Sequence, residues 1–215
     1  MAVMLIPRAT KEREYVAQGR PFIFGVDEAG RGCLAGPVVA AAVLFDWTEE
    51  SFRKKLKGLV RDSKLMTRKN RQYGFDLIRE IALGWGIGVV HVPDIDRLNI
   101  FQANLVAMRY ALQAADHEPD LERSVGLIDG THTVPLLELK QERCIDGDAR
   151  IVSIAAASII AKEYRDRLME HCDLEYPQYG FAQHKGYGTK QHFFALKHHG
   201  LTPLHRRTFL KGFVE

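Results

Sequence analysis

The sequence predicts an α/β fold that carries a small helical appendage at its C-terminal end. Short apolar runs that suit buried strands lie at residues 22–26, 38–45 and 125–128. Segments with apolar residues at helical spacing lie between and after these runs. The last segment, from residue 176 onward, is instead rich in turn-forming, basic and aromatic residues. A chain of 215 residues is long enough for one domain with a small addition.

The first predicted element is a short helix at residues 10–18, and a hairpin with a charged tip follows it. The apolar run 22–26 ends at Asp27 and Glu28, and the chain then turns through Gly30-Arg31-Gly32 before a second strand returns. Because side chains alternate along a strand, Asp27 and Glu28 can serve one site only if the backbone leaves strand geometry at about Glu28. The glycines permit that break, and they leave backbone N–H groups uncovered where a phosphate or a sugar hydroxyl could approach.

The acidic hairpin tip has two interpretations. An isolated Asp-Glu pair is usually solvated, and glycine-rich turns beside strands are common. An acidic pair at the end of a buried strand is nevertheless unfavourable unless a cation or a substrate satisfies it. The glycines lead into a strand and do not open a helix, so this is not a dinucleotide-binding fingerprint. We therefore interpret Asp27 and Glu28 as candidate site residues.

Further along the chain, helices and a strand alternate. Apolar residues that recur every three or four positions predict helices over residues 70–83 and 99–115. A strand over residues 85–92 lies between these helices, and Pro93-Asp94 closes it.

A third acidic residue, Asp129, ends the apolar run 125–128 in the way that Asp27 ends the first run. Neighbouring parallel strands bring their carboxyl ends to one edge of a sheet, so Asp27 and Asp129 could converge. The alternative is that Asp129-Gly130 is only a favoured turn pair.

The next predicted strand, residues 142–154, is interrupted by a turn that contains Asp146 and Asp148. Ser153 is a suitable N-cap for a long helix over residues 155–172. This turn supplies further acids for a site.

The appendage contains Tyr187 between two glycines and then a short helix that Thr189 caps and Gly200 ends. Aromatic residues interleaved with cations suit stacking on sugars or bases. A tyrosine in such a setting is more often a packing residue, so the segment alone leaves both roles of Tyr187 open.

Positive charge is concentrated in two segments, although the net charge is only +3. Residues 52–71 carry many basic side chains, among them Lys64, against the single acid Asp62. Residues 176–214 contain no acid and include Lys185. Each segment alone could be a solvated surface, but both together favour a polyanionic partner.

Composition excludes several other classes of protein. No apolar run approaches the ~20 residues that span a bilayer, which excludes residence in the membrane. Too few apolar residues precede Arg8 for the core of a signal peptide. Cys33, Cys144 and Cys172 are widely spaced and form no CxxC pair, which is typical of reduced thiols in a cytoplasmic protein.

Several motifs resemble those of the ribonuclease HII family, and together they cover nearly the whole chain. The opening motif, GVDEAGRG at 25–32, is followed by LAGPVVAAAV. The others are DSK at 62–64, LN at 98–99, LIDG at 127–130, GDA at 147–149, IAAASIIAK at 154–162, YPQYGFAQHKGYGT at 176–189 and HHGLTPLHRRTF at 198–209.

The resemblance implies an RNase H-like domain at residues 1–172, with a mixed β-sheet flanked by helices, and a helical substrate-binding extension at residues 173–215. It also implies an endonuclease that cuts the RNA strand of RNA–DNA hybrids, including single ribonucleotides embedded in duplex DNA. Cleavage is expected on the 5′ side of the ribonucleotide, by metal-assisted in-line attack of water that leaves 3′-OH and 5′-phosphate ends. The expected form is a monomer.

By the same resemblance, the catalytic and metal-binding residues are four acids: Asp27, Glu28, Asp129 and Asp148. The turn that reads the RNA–DNA junction is Gly30-Arg31-Gly32. Tyr187 matches the tyrosine that the family sets against the sugar on the DNA side of the cut.

The expected cofactor is Mg²⁺ or Mn²⁺, because the ligands are carboxylates without Cys or His. Two ions ~3.5–4 Å apart are expected in the substrate complex. Asp27 and Asp129 are expected to be the central ligands, and Lys64 and Lys185 are assigned to substrate phosphates.

Three residues depart from the family pattern. Cys33 stands where proline is usual, which loosens the turn and leaves a thiol near the metal site. Asp146 and Ala149 replace the usual Lys and the usual Ser or Thr on either side of Gly147-Asp148. Asp146 is therefore a competitor of Asp148 for the role of fourth acid.

Two other functions fit the residues. A non-catalytic module that binds RNA or RNA–DNA hybrid would use the acids only to end strands, and its binding would not depend on metal. A metal-dependent phosphatase would use the same carboxylates but would have no need of two basic segments.

Overall fold

The computed structural model describes residues 7–49, 55–56, 66–115 and 120–213. Its strands are β1 (Phe22–Ala29), β2 (Val38–Asp46), β3 (Gly84–Val90), β4 (Ser124–Asp129) and β5 (Gln141–Cys144). They form one mixed sheet in the order β3-β2-β1-β4-β5. β1 is antiparallel to β2 and parallel to β4, which confirms both the predicted hairpin and the predicted α/β class.

Helices flank this sheet. The helices are α1 (Thr10–Ala17), α2 (Arg68–Ile81), α3 (Val92–Leu98), α4 (Ile100–Gln113), α5 (Gly147–Arg150), α6 (Val152–Glu175), α7 (Phe181–His184) and α8 (Lys190–His199). Short 3₁₀ turns lie at Leu121–Arg123 and Arg207–Phe209.

Two buried clusters fill the space between the sheet and its helices. Val43 of β2 packs in the cluster that contains Ile160 of α6, while the next residue, Leu44, packs in the cluster that contains Met108 of α4. Because both faces of β2 are buried, its sequence is a continuous apolar run instead of an alternating one.

Glycines let the helices lie directly on the strands. A Cβ atom on Gly25 of β1 would collide with the carbonyl oxygen of Ser153 in α6. A Cβ atom on Gly88 of β3 would collide with the carbonyl oxygen of Ala107 in α4. The strand that carries Asp27 is thus held tightly against α6.

The C-terminal segment packs around an aromatic pair of its own. The rings of Tyr179 and Phe181 stack with their centroids 5.4 Å apart. Met169 of α6 and Ala35 of the loop after β1 belong to the same buried cluster. The division into a domain at residues 1–172 and an extension at 173–215 stays a proposal, and α6 runs across that boundary.

The predicted elements are present with shifted boundaries, but the segment after β3 differs from the prediction. The helices predicted at 70–83 and 99–115 are α2 and α4, and the strand predicted at 85–92 is β3. The strand ends at Val90, shortly before Pro93, but Pro93 lies in the first turn of α3, a helix that the sequence did not predict. Proline suits that position, where its missing N–H would have no helical partner.

The strand predicted over residues 142–154 is wrong beyond Cys144, where α5 and then α6 follow. Ser153 lies inside α6 and is not its N-cap. Instead the carboxylate of Glu12, in α1, accepts hydrogen bonds from the Ser153 N–H at 2.9 Å and from its hydroxyl at 3.0 Å. This contact joins residues far apart in sequence, so local sequence could not indicate it.

Two further expectations from the sequence concern the cysteines and membrane-spanning helices. Cys33, Cys144 and Cys172 are free thiols, as predicted. Within the described ranges, no helix combines the length and the apolar character needed to cross a membrane.

Candidate active site

Three carboxylates meet where β1 and β4 end. Asp27 and Glu28 are near the end of β1, and Asp129 is the last residue of β4. One oxygen from each carboxylate lies within 4.8 Å of the others. The parallel pairing, in which Val26 is opposite Ile128, brings the two strand ends together.

The predicted departure from strand geometry at Glu28 is wrong, although the acids still converge. Glu28 remains in β1 and pairs with Ala40 of β2. The carboxylate of Asp27 bends toward the strand end, because its Oδ1 accepts a hydrogen bond from the Glu28 N–H at 2.7 Å. Neighbouring side chains on opposite faces can therefore reach one point beyond the edge of the sheet.

Burial and like charge raise the pKa of Asp27. The residue is 3% exposed, and burial is the largest cause. The charges of Glu28 and Asp129 raise the pKa further, a hydrogen bond with Ser158 opposes them, and Asp148 adds a smaller increase. Clustered carboxylates that repel one another, with oxygen atoms only, fit a divalent cation such as Mg²⁺ or Mn²⁺.

The short helix α5 connects Asp129 to the fourth predicted acid. Asp129 Oδ1 accepts a hydrogen bond from the Gly147 N–H at 2.7 Å. Asp148 is buried in the first turn of α5, and its charge acts on Asp27, but it is not one of the three acids that lie within 4.8 Å. Its competitor Asp146 is exposed and has a left-handed backbone, φ 53°. Burial and charge therefore favour Asp148 over Asp146.

A pocket of about 170 Å³ adjoins the acids. It brings together Glu28, the predicted glycine turn and Tyr187 with two residues that sequence reasoning missed, Ser158 and Lys162. The full lining consists of Glu28, Ala29, Gly30, Arg31, Gly32, Ser158, Lys162 and Tyr187. The signal for Ser158 and Lys162 is their i, i+4 spacing, which places both on one face of α6.

Lys162 brings a positive charge to the pocket, and a hydrogen bond to Asp166 holds its ammonium group in place. Its ammonium group donates a hydrogen bond to Asp166 Oδ1 at 2.5 Å, and Asp166 Oδ2 accepts another from Arg71 at 3.0 Å. Burial lowers the pKa of Lys162, which the Asp166 carboxylate opposes. Lys162 Nζ also lies 5.8 Å from the centroid of the Tyr187 ring.

Two fully buried arginines hold the loop that follows β1. Arg165 of α6 donates hydrogen bonds to the carbonyl oxygens of Ala35 at 3.0 Å and Pro37 at 2.9 Å. Arg206 donates to the carbonyl oxygens of Gly30 at 2.7 Å and Arg31 at 2.9 Å. The C-terminal segment therefore shapes the turn at the active site.

The two glycines of the turn have different surroundings. Gly30 has a φ of +89°, and a Cβ atom there would collide with the Arg165 side chain. A Cβ atom on Gly32 would meet nothing within 4 Å. Arg31 Nη1 lies 3.6 Å from Glu28 Oε1. Gly30 is thus required by the fold, whereas Gly32 faces open space.

Tyr187 lies at the rim of the pocket, with 39% of the residue exposed. Its hydroxyl and the buried Cys33 thiol form a hydrogen bond, and burial raises the pKa of both groups. The thiol also donates to the Lys185 carbonyl oxygen at 3.6 Å. The unusual cysteine therefore supports the segment that carries Tyr187.

Of the two predicted phosphate-binding lysines, Lys185 is described by the structure and does not line the pocket. Lys185 Nζ donates to Glu170 Oε1 at 2.7 Å and to the Ala182 carbonyl oxygen at 2.7 Å. Lys64 lies outside the described residues. Phosphate contact by either lysine stays a prediction.

Comparisons with known proteins identify the family of the chain. The family model for ribonuclease HII matches residues 24–211. The chain is 49% identical over 187 residues to ribonuclease HII of Albidiferax ferrireducens, with 87% of this chain and 85% of the relative covered. It is 41% identical over 222 residues to ribonuclease HII of Dehalococcoides mccartyi, with 100% and 98% covered.

A solved structure confirms the predicted RNase H-like fold. The crystal structure of the ribonuclease H2 from Pyrococcus horikoshii OT3 superposes with a TM-score of 0.71 at 26% identity. The similarity covers 87% of this chain and 93% of that one. With the family match over residues 24–211, these relationships show that the chain belongs to the ribonuclease HII family and is a ribonuclease.

Proposed function

We propose that this ribonuclease is an endonuclease that cuts the RNA strand of RNA–DNA hybrids. Its further substrate is duplex DNA with a single embedded ribonucleotide, which it cuts on the 5′ side to leave 3′-OH and 5′-phosphate ends. The observation that carries the proposal is the convergence of Asp27, Glu28 and Asp129 beside a pocket that also contains the glycine turn and Tyr187. Family membership supports the same reaction.

The residues that would hold divalent cations are Asp27, Glu28 and Asp129, together with the buried Asp148. We propose Mg²⁺ or Mn²⁺, with two ions in the substrate complex. Such cations would lower the pKa of an attacking water and stabilise charge on the leaving 3′ oxygen. The raised pKa of Asp27 supports this assignment, because a cation would relieve the repulsion among the three acids.

The glycine turn presents backbone donors to the ligand side. The carbonyl groups of Gly30 and Arg31 point at Arg206. In a trans peptide the next N–H points the opposite way, so the N–H groups of Arg31 and Gly32 point away from Arg206. Only a 2′-OH distinguishes a ribonucleotide from the DNA around it, and backbone N–H groups on a glycine turn can approach it closely.

Tyr187 and Lys162 supply the other side of the pocket. An aromatic ring stacked on a deoxyribose rejects an added hydroxyl by contact, so Tyr187 would select the DNA side of the junction. The Lys162 ammonium supplies a positive charge for a phosphate close to the acids. We also propose that the protein acts as a monomer in the cytoplasm, and the three widely spaced cysteines without a CxxC pair support the second assignment.

One experiment tests the reaction and its alternatives. The protein is incubated with and without Mg²⁺ with a continuous RNA–DNA hybrid and with duplex DNA that contains one ribonucleotide. We expect metal-dependent cleavage of both, with a 5′-phosphate on the ribonucleotide product. Metal-independent binding without cleavage would support a binding module, and hydrolysis of small phosphoesters alone would support a phosphatase.

Tyr187→Ala is expected to lower cleavage at a single ribonucleotide at least about tenfold more than cleavage of continuous hybrid, a difference of about 1.4 kcal/mol in barrier. The reason is that only the isolated ribonucleotide has a deoxyribose directly beyond the cut. Initial rates on the two substrates give the ratio. Tyr187→Phe is the control, since it keeps the ring and loses only the hydroxyl next to Cys33. If Tyr187→Ala slows both substrates equally, the tyrosine does not read the junction.

Gly32→Ala is expected to impair both substrates while the melting temperature stays within about 2 °C, because surface substitutions usually change stability by less than ~0.5 kcal/mol. A Cβ atom there meets no protein atom but would obstruct the approach of a ligand. Cleavage rates and thermal melting measure the two effects separately. Unchanged rates on both substrates would show that no ligand approaches this part of the turn.

A further inference from the structure

Three buried histidines stack behind the segment that carries Tyr187. His184 is the last residue of α7, His192 lies in α8, and His205 lies in the turn that follows α8; they are 7%, 0% and 1% exposed. The rings of His184 and His192 stack with their centroids 4.3 Å apart. His192 Nε2 lies 3.0 Å from His205 Nε2.

The neighbours of these rings determine where the protons lie. His192 Nδ1 is 2.9 Å from the Tyr187 carbonyl oxygen, which can only accept, so His192 carries its proton on Nδ1. At the other end, the Thr202 N–H donates to His205 Nδ1 at 2.9 Å, so a neutral His205 carries its proton on Nε2. His205 Nε2–H then donates to His192 Nε2. The hydrogen-bond partners at both ends, the Tyr187 carbonyl group and the Thr202 N–H, require the same arrangement of protons.

Burial keeps these imidazoles neutral. The pKa of His192 and of His205 is lowered to about 4 each, with burial as the largest cause and the charge of a neighbouring histidine as a smaller one. A neutral ring has one N–H, as the chain of hydrogen bonds requires. A second proton would set two donors against each other between His192 and His205.

Two of the histidines bond the backbone of residues 186 and 187. Lys185 and Gly186 both have left-handed backbones, with φ of 52° and 83°. The Gly186 N–H donates to His184 Nδ1 at 3.1 Å, and His192 holds the Tyr187 carbonyl oxygen. The backbone of Tyr187 is therefore fixed from the histidine side while its ring faces the pocket.

We infer that His192 and His205 are positioning residues that set the selectivity for a single ribonucleotide by fixing the Tyr187 ring through a chain of neutral hydrogen bonds. This inference rests on the proposed function of Tyr187. Neither histidine lines the pocket.

A matched pair of substitutions tests the inference through substrate selectivity. His192→Asn keeps an N–H near the Nδ1 position, whereas His192→Leu has similar size and no donor. We expect His192→Leu to lower the ratio of single-ribonucleotide to continuous-hybrid cleavage about tenfold. His192→Asn should keep the ratio within about threefold, because it can still bond the Tyr187 carbonyl group.

Leu196→Ala is the control for loss of stability, because it removes buried volume from the C-terminal cluster, to which Tyr187 does not belong. Its melting temperature should fall while its substrate ratio stays at the wild-type value. The inference is overturned if His192→Leu keeps the wild-type ratio, or if Leu196→Ala lowers the ratio equally.

A second measurement needs no substrate and separates this inference from the proposed function. Long-range ¹H–¹⁵N spectra of the protein should show His192 protonated on Nδ1 and His205 on Nε2, and the Gly186 amide should exchange about tenfold faster in His192→Leu. Other tautomers, or unchanged exchange, would overturn the positioning role. If these results hold but Tyr187→Ala leaves the ratio unchanged, the proposed role of Tyr187 fails instead.

Discussion

Asp27→Asn is expected to lower cleavage of both substrates at least about 100-fold, which corresponds to ~2.7 kcal/mol in barrier. The substitution keeps the size and the hydrogen-bond acceptor of the side chain but removes the charge at the most buried of the three clustered acids. Hybrid binding should change little, because the substitution removes no basic side chain that could bind a phosphate. Single-turnover rates with saturating Mg²⁺ and a separate binding assay measure the two properties.

Asp146→Asn is the matched control. It makes the same substitution at an exposed acid only a few residues from Asp148. We expect wild-type rates from Asp146→Asn and a loss from Asp148→Asn. If Asp27→Asn keeps more than about a tenth of the wild-type rate, a barrier change below ~1.4 kcal/mol, Asp27 is not a central metal ligand.

Asp27→Asn is also expected to stabilise the metal-free protein. Burial and the charges of Glu28 and Asp129 raise the pKa of Asp27 in the folded state. The folded protein therefore binds the proton more tightly than the unfolded chain, and stability falls as pH rises from the unfolded pKa of ~3.9 through the raised folded pKa. Asparagine does not titrate, so the free energy of unfolding at pH 7 in EDTA should be higher for Asp27→Asn than for the wild-type protein.

Mg²⁺ should reverse this order of stability. A ligand that binds only the folded state raises the melting temperature, so Mg²⁺ should stabilise the wild-type protein more than Asp27→Asn. A wild-type protein whose melting temperature does not respond to Mg²⁺ or Mn²⁺ would contradict the metal site.

The convergence of Asp27 and Asp129 could be predicted because it depends on local patterns. Each acid ends an apolar run, and a parallel pair of strands is enough to bring the two ends together. The path of Glu28 could not be predicted in the same way. Alternation along a strand determines where the Cβ atoms point. It does not determine how a side chain bends after its Cβ atom, and this bend brings the carboxylates together.

The supports of the site were hidden from the sequence for a different reason. Arg165 and Arg206 bond backbone carbonyl groups in the loop after β1, and any residue type offers a carbonyl group. The sequence therefore contains no pair of side-chain types that would indicate these arginine–carbonyl contacts. Lys162 had a weak signal, its i, i+4 spacing from Ser158, but an i, i+4 pair with Asp166 is equally typical of an ordinary helix surface.

Arg206→Leu is expected to destabilise the protein by about 3 kcal/mol or more and to lower the cleavage of both substrates. The guanidinium group is fully buried and donates to the carbonyl oxygens of Gly30, Arg31 and Gly36. Leucine would remove this donor from all three acceptors and leave the Gly30 carbonyl oxygen with the Cys33 N–H at 3.3 Å, at about 1–3 kcal/mol for each group that water cannot reach. Thermal melting and cleavage rates at a temperature where the variant is folded measure the two losses.

The neighbouring residue supplies the control, because Arg207 is exposed. Arg207→Leu removes the same charge from the chain and should change stability by less than ~0.5 kcal/mol. Arg206→Lys tests geometry, since an ammonium group lacks the planar fork that reaches several carbonyl groups at once, so part of the loss should remain. The glycine turn and the C-terminal segment are coupled through Arg206, and equal stability and activity in Arg206→Leu and Arg207→Leu would show that this coupling is absent.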